Sequence, residues 1–207
     1  MKDELCFNYF NHFFFDLIKN DKSIYMENKN AYCWIAGGAL RSYFSKGYVD
    51  SDIDVFFVYK LQFEIVRDIL IKNNDVKTGY SDENISNFYY KGKKIQLISR
   101  FYYNNMQDCI NSFDFTVTCC AIDIDGKIIH HPRFFQDLAM RKLVINKLPF
   151  PIATLERLQK YIKKGYSICN GGLLEIVNAI RNLNDKDMKS NHLEFYPDGT
   201  PRFKRID

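Results

Sequence analysis

The chain has 207 residues, of which 46% are hydrophobic and 26% charged, with a net charge of +4. That length suits one large domain, or a domain with a smaller appendage, and the apolar share builds a core without disulfide staples. The mildly basic balance tolerates a phosphate-bearing ligand without demanding a nucleic-acid partner, and the apolar runs fall well short of the roughly 18 residues of a membrane span, so no membrane association is expected.

Residues 5–19 space their apolar side chains as a helix packing on a core does. Acidic Asp3 and Glu4 precede any apolar stretch, so no secretory signal is read, and a soluble cytoplasmic protein is expected. Asn20 to Asn30 is polar and reads as a loop or short helix. Ala31 to Ala36 is a short apolar strand, broken by Gly37-Gly38; Ala39 to Phe44 suits one or two helical turns, stopped at Lys46-Gly47. Asp52 to Tyr59 is a second strand, apolar apart from its aspartates, and Gln62 to Asn73 is an amphipathic helix.

Two strands follow, Ser86 to Tyr90 and Lys94 to Ile98, joined by a turn at Lys91-Gly92-Lys93. Asn104 to Ile110 is predicted helical, Ser112 to Asp123 is a β-favouring run, and Asp125-Gly126 turns the chain into Lys127 to His130. Phe134 to Met140 begins a helical tail. Thr154 is expected to cap a helix through Leu155, Leu158, Tyr161 and Ile162, and another helix, Leu173 to Leu183, follows Gly171-Gly172. From Asn184 onward the polar composition predicts loose packing. The order describes an α+β fold: a small mixed or antiparallel sheet with helices over residues 1–148, then a short helical module and polar tail over 149–207.

The six cysteines, at 6, 33, 109, 119, 120 and 169, form no Cys-x-x-Cys pair and no zinc spacing with histidine. They read as reduced cysteines, with Cys119 and Cys120 on opposite faces of a strand. His130-His131 is read as an exposed turn in preference to a metal site. Lys160, Lys163 and Lys164 on one helix read as a solvated face, the alternative being a phosphate contact. Tyr89, Tyr90, Tyr102 and Tyr103 could stack on a base or alternate between core and surface.

The chemistry concentrates in Asp52-Ile53-Asp54. Strand geometry puts both carboxylates on one face, roughly 6–7 Å apart at Cα. In an apolar run they would repel and desolvate, raising one pKa, unless a cation compensates them. Mg²⁺ takes oxygen ligands and keeps positions for substrate phosphates, and two such ions could activate a hydroxyl and stabilise departing pyrophosphate. Gly37-Gly38 ahead of a helix lets the backbone approach a phosphate, and Arg41, one turn on, can reach the same anion.

An apolar strand, Gly-Gly, a short helix and then Asp-x-Asp resembles the DNA polymerase β-type nucleotidyltransferase superfamily. Ala-Gly-Gly-Ala-Leu-Arg is most similar to the head domain of bacterial-type CCA-adding enzymes and poly(A) polymerases. A second stretch, Phe113 to Ala121 with its hairpin through Gly126, is similar to their Arg-Asp-Phe-Thr-x-Asn-Ala motif, and Asp137-Leu138 through Arg157 to Tyr161 is placed like the start of their helical neck. The resemblance implies a nucleotidyltransferase fold, with Asp52 and Asp54 as catalytic Mg²⁺ ligands. It further implies that Gly37, Gly38 and Arg41 hold a nucleoside triphosphate (NTP), and that Asp114 and Arg157 serve the nucleotide. Asp114 could equally pair with a nearby Arg or Lys. The expected reaction moves a nucleoside monophosphate to an acceptor hydroxyl, an RNA 3′ end being favoured and a protein or small molecule being the alternatives.

The departures matter as well. Gln96 stands where the family carries a third carboxylate, Thr118 replaces an Asn and Phe113 an Arg. The neck pattern keeps Arg157 but has Thr154 and Pro151 at its other positions, and no base-selecting element is found. CCA addition is therefore not expected. The alternatives are a catalytically weak or inactive nucleotide-binding domain, and a toxin-like transferase acting on a protein or tRNA.

Overall fold

Alternation along the short central strands decides which side of the sheet is core and which carries chemistry. The computed structural model describes residues 2–19, 33–184, 193–195 and 201–203. Helix α1 (Lys2–Phe10) runs through a π-helical stretch (Asn11–Phe15) into α2 (Asp16–Ile18). Strand β1 (Cys33–Ala36), α3 (Gly38–Lys46), β2 (Ile53–Phe57) and α4 (Lys60–Lys72) follow. Next come β3 (Lys77–Ser81), β4 (Ile85–Tyr90), β5 (Lys93–Ile98), α5 (Met106–Asn111) and a 3₁₀ turn at Thr116–Thr118. The rest is β6 (Cys120–Asp123), β7 (Ile128–His130), α6 (Phe134–Ala139), β8 (Lys142–Leu143), α7 (Pro151–Lys163), β9 (Ser167–Ile168), α8 (Asn170–Arg181), β10 (Leu193–Phe195) and β11 (Pro201–Phe203).

Seven strands form one sheet in the order β3-β4-β5-β2-β1-β6-β7. The β2–β5 pair is parallel and the others are antiparallel. Cys33 and Ile35 of β1 point to the main core with Phe10, Phe14, Leu40, Val55 and Leu70. Trp34 and Ala36 point the other way, to a smaller cluster with Phe56, Cys109, Ile110 and Cys119. Period two then puts Asp54 on the Phe56 side, where the apolar cover is thin. The α1–α2 segment anchors the main core. Phe10, Phe14, Phe15 and Ile18 are each 0% exposed, and burying such side chains contributes about 1.5–3 kcal/mol apiece.

The α+β reading holds, with a mixed, mostly antiparallel sheet. Cys119 and Cys120 fall in opposite clusters, as expected. Four local readings are corrected. Ser112 to Asp123 is a strand only from Cys120. Its threonines turn back on the chain instead, Thr118 Oγ1 donating to the Phe115 carbonyl at 2.8 Å and Thr116 Oγ1 to Asp137 at 2.7 Å. Thr154 is no cap: α7 starts at Pro151 behind Phe150, and Thr154 Oγ1 donates to the Phe150 carbonyl from inside the helix. Gly171 and Gly172 lie within α8, which Cys169 caps. Strand β3 went unread because its sequence, Lys-Thr-Gly-Tyr-Ser, is polar and edge-like. Its Gly79 is required by close approach: a Cβ there would meet the Tyr89 ring at 2.8 Å. The loop expected at Asn20–Asn30 lies outside the described residues, as does most of the polar tail, where β10 and β11 pair. Among the described residues no helix is long and apolar enough to cross a membrane.

Candidate active site

The two carboxylates share one neighbour, the side-chain amide of Gln96. Asp54 occupies the middle of the sheet, opposite Ala36 on β1 and Gln96 on β5. Asp52 lies just before β2, 38% exposed, with Lys94 Nζ 3.1 Å from its Oδ2. Burial, then the charge of Asp52, pushes the Asp54 carboxyl up to about 7, against the opposing charges of Lys160 and Lys94. Such a group is poised to be neutralised by a proton or a cation.

Gln96 completes this floor. Its side-chain amide is 7% exposed, and with the NH₂ turned to the carboxylates it donates to Asp52 Oδ2 at 3.0 Å and Asp54 Oδ1 at 3.1 Å. Its oxygen then accepts from Lys94 at 3.3 Å. The oxygen donors left for a cation are thus the two carboxylates, both hard ligands. Among the described residues no group of three or more His, Cys, Asp or Glu gathers. This suits Mg²⁺, which is commonly bound through one or two carboxylates plus substrate phosphates.

The glycine pair lies beside this floor. Gly37 caps α3 with φ 85° and ψ −131°, a conformation that side-chain-bearing residues rarely adopt, and no side chain caps the helix. Its N–H donates to the Cys120 carbonyl at 3.1 Å, tying the turn to β6. The uncapped N-terminal amides of α3 therefore open next to the end of β1, where the chain leaves Ala36 opposite Asp54.

Arg41 is placed differently from the expected triphosphate contact. It is 1% exposed, its guanidinium sits 3.1 Å from Asp50 and stacks near the rings of Tyr161 and Tyr166. It lines a cavity of about 350 Å³ with Lys46, Arg141, Lys164 and Phe135. Asp50 also pairs with Lys46 at 2.6 Å and Lys164 at 3.4 Å. Burial alone would raise its pKa, yet these cations hold it well below the usual carboxylate range.

Asp114 and Arg157 meet each other, Arg157 Nε donating to Asp114 Oδ2 at 2.5 Å, so the ion-pair alternative for Asp114 is realised. Lys160, one helical turn beyond Arg157, is exposed, in keeping with a solvated face, and its charge opposes the upward shift of the Asp54 carboxyl. The sequence reading weighed Lys160 as a solvated face or a phosphate contact and did not single out Lys94. Lys94 was legible, since it precedes Gln96 by two residues on one strand face. His130 ends β7 opposite Cys120 and His131 follows in the turn, His130 Nδ1 lying 3.0 Å from the His131 carbonyl. Tyr103 is held by the Ser112 hydroxyl at 2.9 Å and packs near Phe56, while Tyr89 and Tyr102 are exposed.

A family model described as "Gabija anti-defense 2 family protein" matches residues 4–141. A protein of Bacillus phage SPbetaL7 named "Gabija anti-defense 2" is 30% identical over 145 residues, 69% of this chain and 36% of that protein. The chain thus spans about a third of that relative's length. Among solved structures, a CCA-adding enzyme in its apo form superposes with TM-score 0.60 at 16% identity, covering 86% of this chain and 45% of that one. A tRNA-processing enzyme matches with TM-score 0.60 at 13% identity, over 86% and 50% of the two chains. A tRNA nucleotidyltransferase solved with a primer tRNA and an incoming ATP analog matches with TM-score 0.54 at 14% identity, over 72% and 47%. At these identities the likeness establishes the nucleotidyltransferase fold, and the chain spans about half of those enzymes.

Proposed function

The chain belongs to the Gabija anti-defense 2 family, and we propose that within it this protein is a Mg²⁺-dependent nucleotidyltransferase. It moves a nucleoside monophosphate from an NTP to an acceptor hydroxyl, releasing pyrophosphate. The observation that carries the reading is the placement of Asp54 within β2, opposite Ala36 and Gln96, with Asp52 just before the strand and Lys94 3.1 Å from it. A fold keeps so costly a pair where a cation and a polyanion are to be taken up.

In this reading Asp52 and Asp54 hold the metal, which when bound supplies charge neutralisation for the triphosphate and the departing pyrophosphate. The Gly37-Gly38 turn and the α3 amides receive phosphate oxygens. Lys94 and Lys160 bring positive charge to the same cleft. The Asp114–Arg157 pair, midway along α7, ties that helix to the segment ahead of the 3₁₀ turn and borders the nucleotide. Arg41, buried against Asp50, Tyr161 and Tyr166, braces α3 and does not contact the phosphates. Residues 1–148 act as the head and 149–207 as a neck-like module that contributes Arg157 and Lys160. The acceptor favoured is an RNA 3′ end, in keeping with the basic side chains around the cleft.

Incubating the protein with labelled NTPs, Mg²⁺ and candidate RNAs tests the reading. Label transfer that Asp52→Ala and Asp54→Ala abolish is the expected result. A second reading, nucleotide binding without turnover, draws on Gln96 in place of a carboxylate. It predicts Mg²⁺–NTP binding with no labelled product from any acceptor. Absence of both binding and transfer would remove the two readings together.

A further inference from the structure

We propose a second anion site at the far end of α3 from the glycine pair, a cavity in which Lys46, Arg141 and Lys164 hold the phosphate of a nucleotide and Phe135 flanks its base. It is separate from the carboxylate pair and does not depend on a metal.

The cavity, of about 350 Å³, is walled by the second half of α3, by α6 and by the turn from α7 into β9. At about 1.5 Å per residue, Lys46 stands about 12 Å along the helix from Gly38, so an occupant does not share the amides near Asp54. Arg41, Lys46, Arg141 and Lys164 line it, and among the described residues no carboxylate does. Asp50 lies behind that wall as the acceptor shared by Arg41 at 3.1 Å, Lys46 at 2.6 Å and Lys164 at 3.4 Å. One carboxylate leaves three cations in excess of charge. Arg141 pairs with no carboxylate among the described residues.

Two further observations show the excess. Arg41 is 1% exposed and its Nε has no hydrogen-bond acceptor, which buried donors rarely lack. Burial and then the charge of Arg41 lower the Lys164 ammonium below its ordinary range, even with Asp50 beside it. Arg141 is also built into the rim. Its backbone is left-handed, with φ 50°, and its carbonyl accepts from Ser167 N–H at 2.9 Å. Gly165 leaves the room its guanidinium fills, since a Cβ there would meet Nη1 at 2.9 Å.

An anion answers this charge, and the apolar wall says which kind. Phe135 is 42% exposed, its ring edge-on to Phe44 at 5.1 Å. A bare phosphate would leave that ring in water, whereas a nucleotide sets its phosphate on the cations and its base against the ring. The volume lies at the lower end of small-ligand pockets, about 300–1,000 Å³.

The test uses the full chain with divalent cations chelated and follows the fluorescence anisotropy of a short labelled oligoadenylate, with AMP and inorganic phosphate as competitors. Binding is expected, inorganic phosphate competing only weakly. Competition by AMP assigns the site to a free nucleotide, and competition by unlabelled oligoadenylate alone assigns it to a nucleotide within a strand; either supports the site. Arg141→Asn with Lys164→Gln should weaken binding about tenfold or more and flatten its log–log salt dependence by about 0.7, the value of one single-strand phosphate contact. Asn tolerates the left-handed backbone at position 141. Lys60→Gln with Lys72→Gln, on exposed positions of α4, should change neither quantity. In the wild type, oligoadenylate should protect Lys46 and Lys164 from acetylation and leave Lys60 reactive, a measurement that stands even if a variant fails to fold. No binding, an equal loss in both double variants, or Lys46 and Lys164 left unprotected overturns the proposal and leaves the metal-dependent reading untouched. Asp52→Asn with Asp54→Asn should bind the oligoadenylate as the wild type does; loss of binding there would return the ligand to the carboxylate pair and overturn the second site.

Discussion

Replacing Asp54 by Asn should stabilise the protein at pH 8 and do little at pH 4. The Asp54 carboxyl is raised from 3.8 to about 7, so the native state holds this proton over a window in which the unfolded chain has released it. With more protons bound in the native state, stability falls as pH rises from about 4 to about 7, and the loss is complete above that. At about 1.4 kcal/mol per pH unit the full penalty is about 4 kcal/mol, and residual solvent access and coupling to Asp52 bring the expected range to about 2–4 kcal/mol. Urea unfolding of wild type and Asp54→Asn at both pH values, with divalent cations chelated, isolates the difference, because the other titrating groups are common to both proteins. Adding Mg²⁺ at pH 8 should stabilise the wild type and leave the variant nearly unmoved. A gain that is the same at pH 4 and pH 8, or a net loss at pH 8, would refute the reasoning that Asp54 is a strained, uncompensated carboxylate.

Three further outcomes are expected. Gly37→Ala should cost about 1–3 kcal/mol, visible as a lower melting temperature, because the strain is in the backbone; a Cβ would touch only the Phe113 ring, at 3.6 Å. An unchanged melting temperature would mean that the turn relaxes. Arg157→Gln should destabilise by about 1–3 kcal/mol by leaving the buried Asp114 carboxylate without its partner, and a double-mutant cycle with Asp114→Asn should recover part of that loss. Strict additivity would show the pair to be idle. Under native conditions a thiol reagent should label Cys169 rapidly and spare the other five cysteines, which are buried, with burial pushing the Cys33 thiol up to about 12. Fast labelling of a second thiol would contradict the packing around β1 and β6.

The parts of the fold legible in the sequence are those fixed by local rules. The helix stop at Gly47, with φ 79°, and the turn at Gly92, with φ 73°, follow from glycines, which tolerate positive φ. The Asp-x-Asp pair was legible because a charge in an apolar strand breaks the pattern in a way that hydrophobicity reveals. Ser112 to Asp123 misled because β propensity was overridden by side-chain hydrogen bonds to distant partners, Thr116 to Asp137 being the clearest. The fate of Arg41 was equally hidden: Asp50, Tyr161 and Tyr166 reach it from two other segments, and nothing in the local sequence announces that. Lys160 was read as a surface charge because helical spacing says which residues share a face, but not what that face meets.

Charge balance within the cleft explains why these features belong together. Two carboxylates, Asp52 and Asp54, face two lysines, Lys94 and Lys160, and Lys94 is already committed to Asp52 at 3.1 Å. A polyphosphate alone would therefore meet carboxylates that repel it and a lysine that is engaged. A cation alone would meet lysines that repel it. A cation bound to a polyphosphate would resolve both conflicts at once: Asp52 and Asp54 would hold the metal, which would supply charge neutralisation, and Lys94, now paired with Asp52, would be free for phosphate. The cost of bringing the ligand in is then small, and the gain falls to the combined species and not to either part. Placing a neutral amide at Gln96 sharpens that preference, since a third carboxylate would bind a bare cation more tightly and weaken the requirement for the nucleotide.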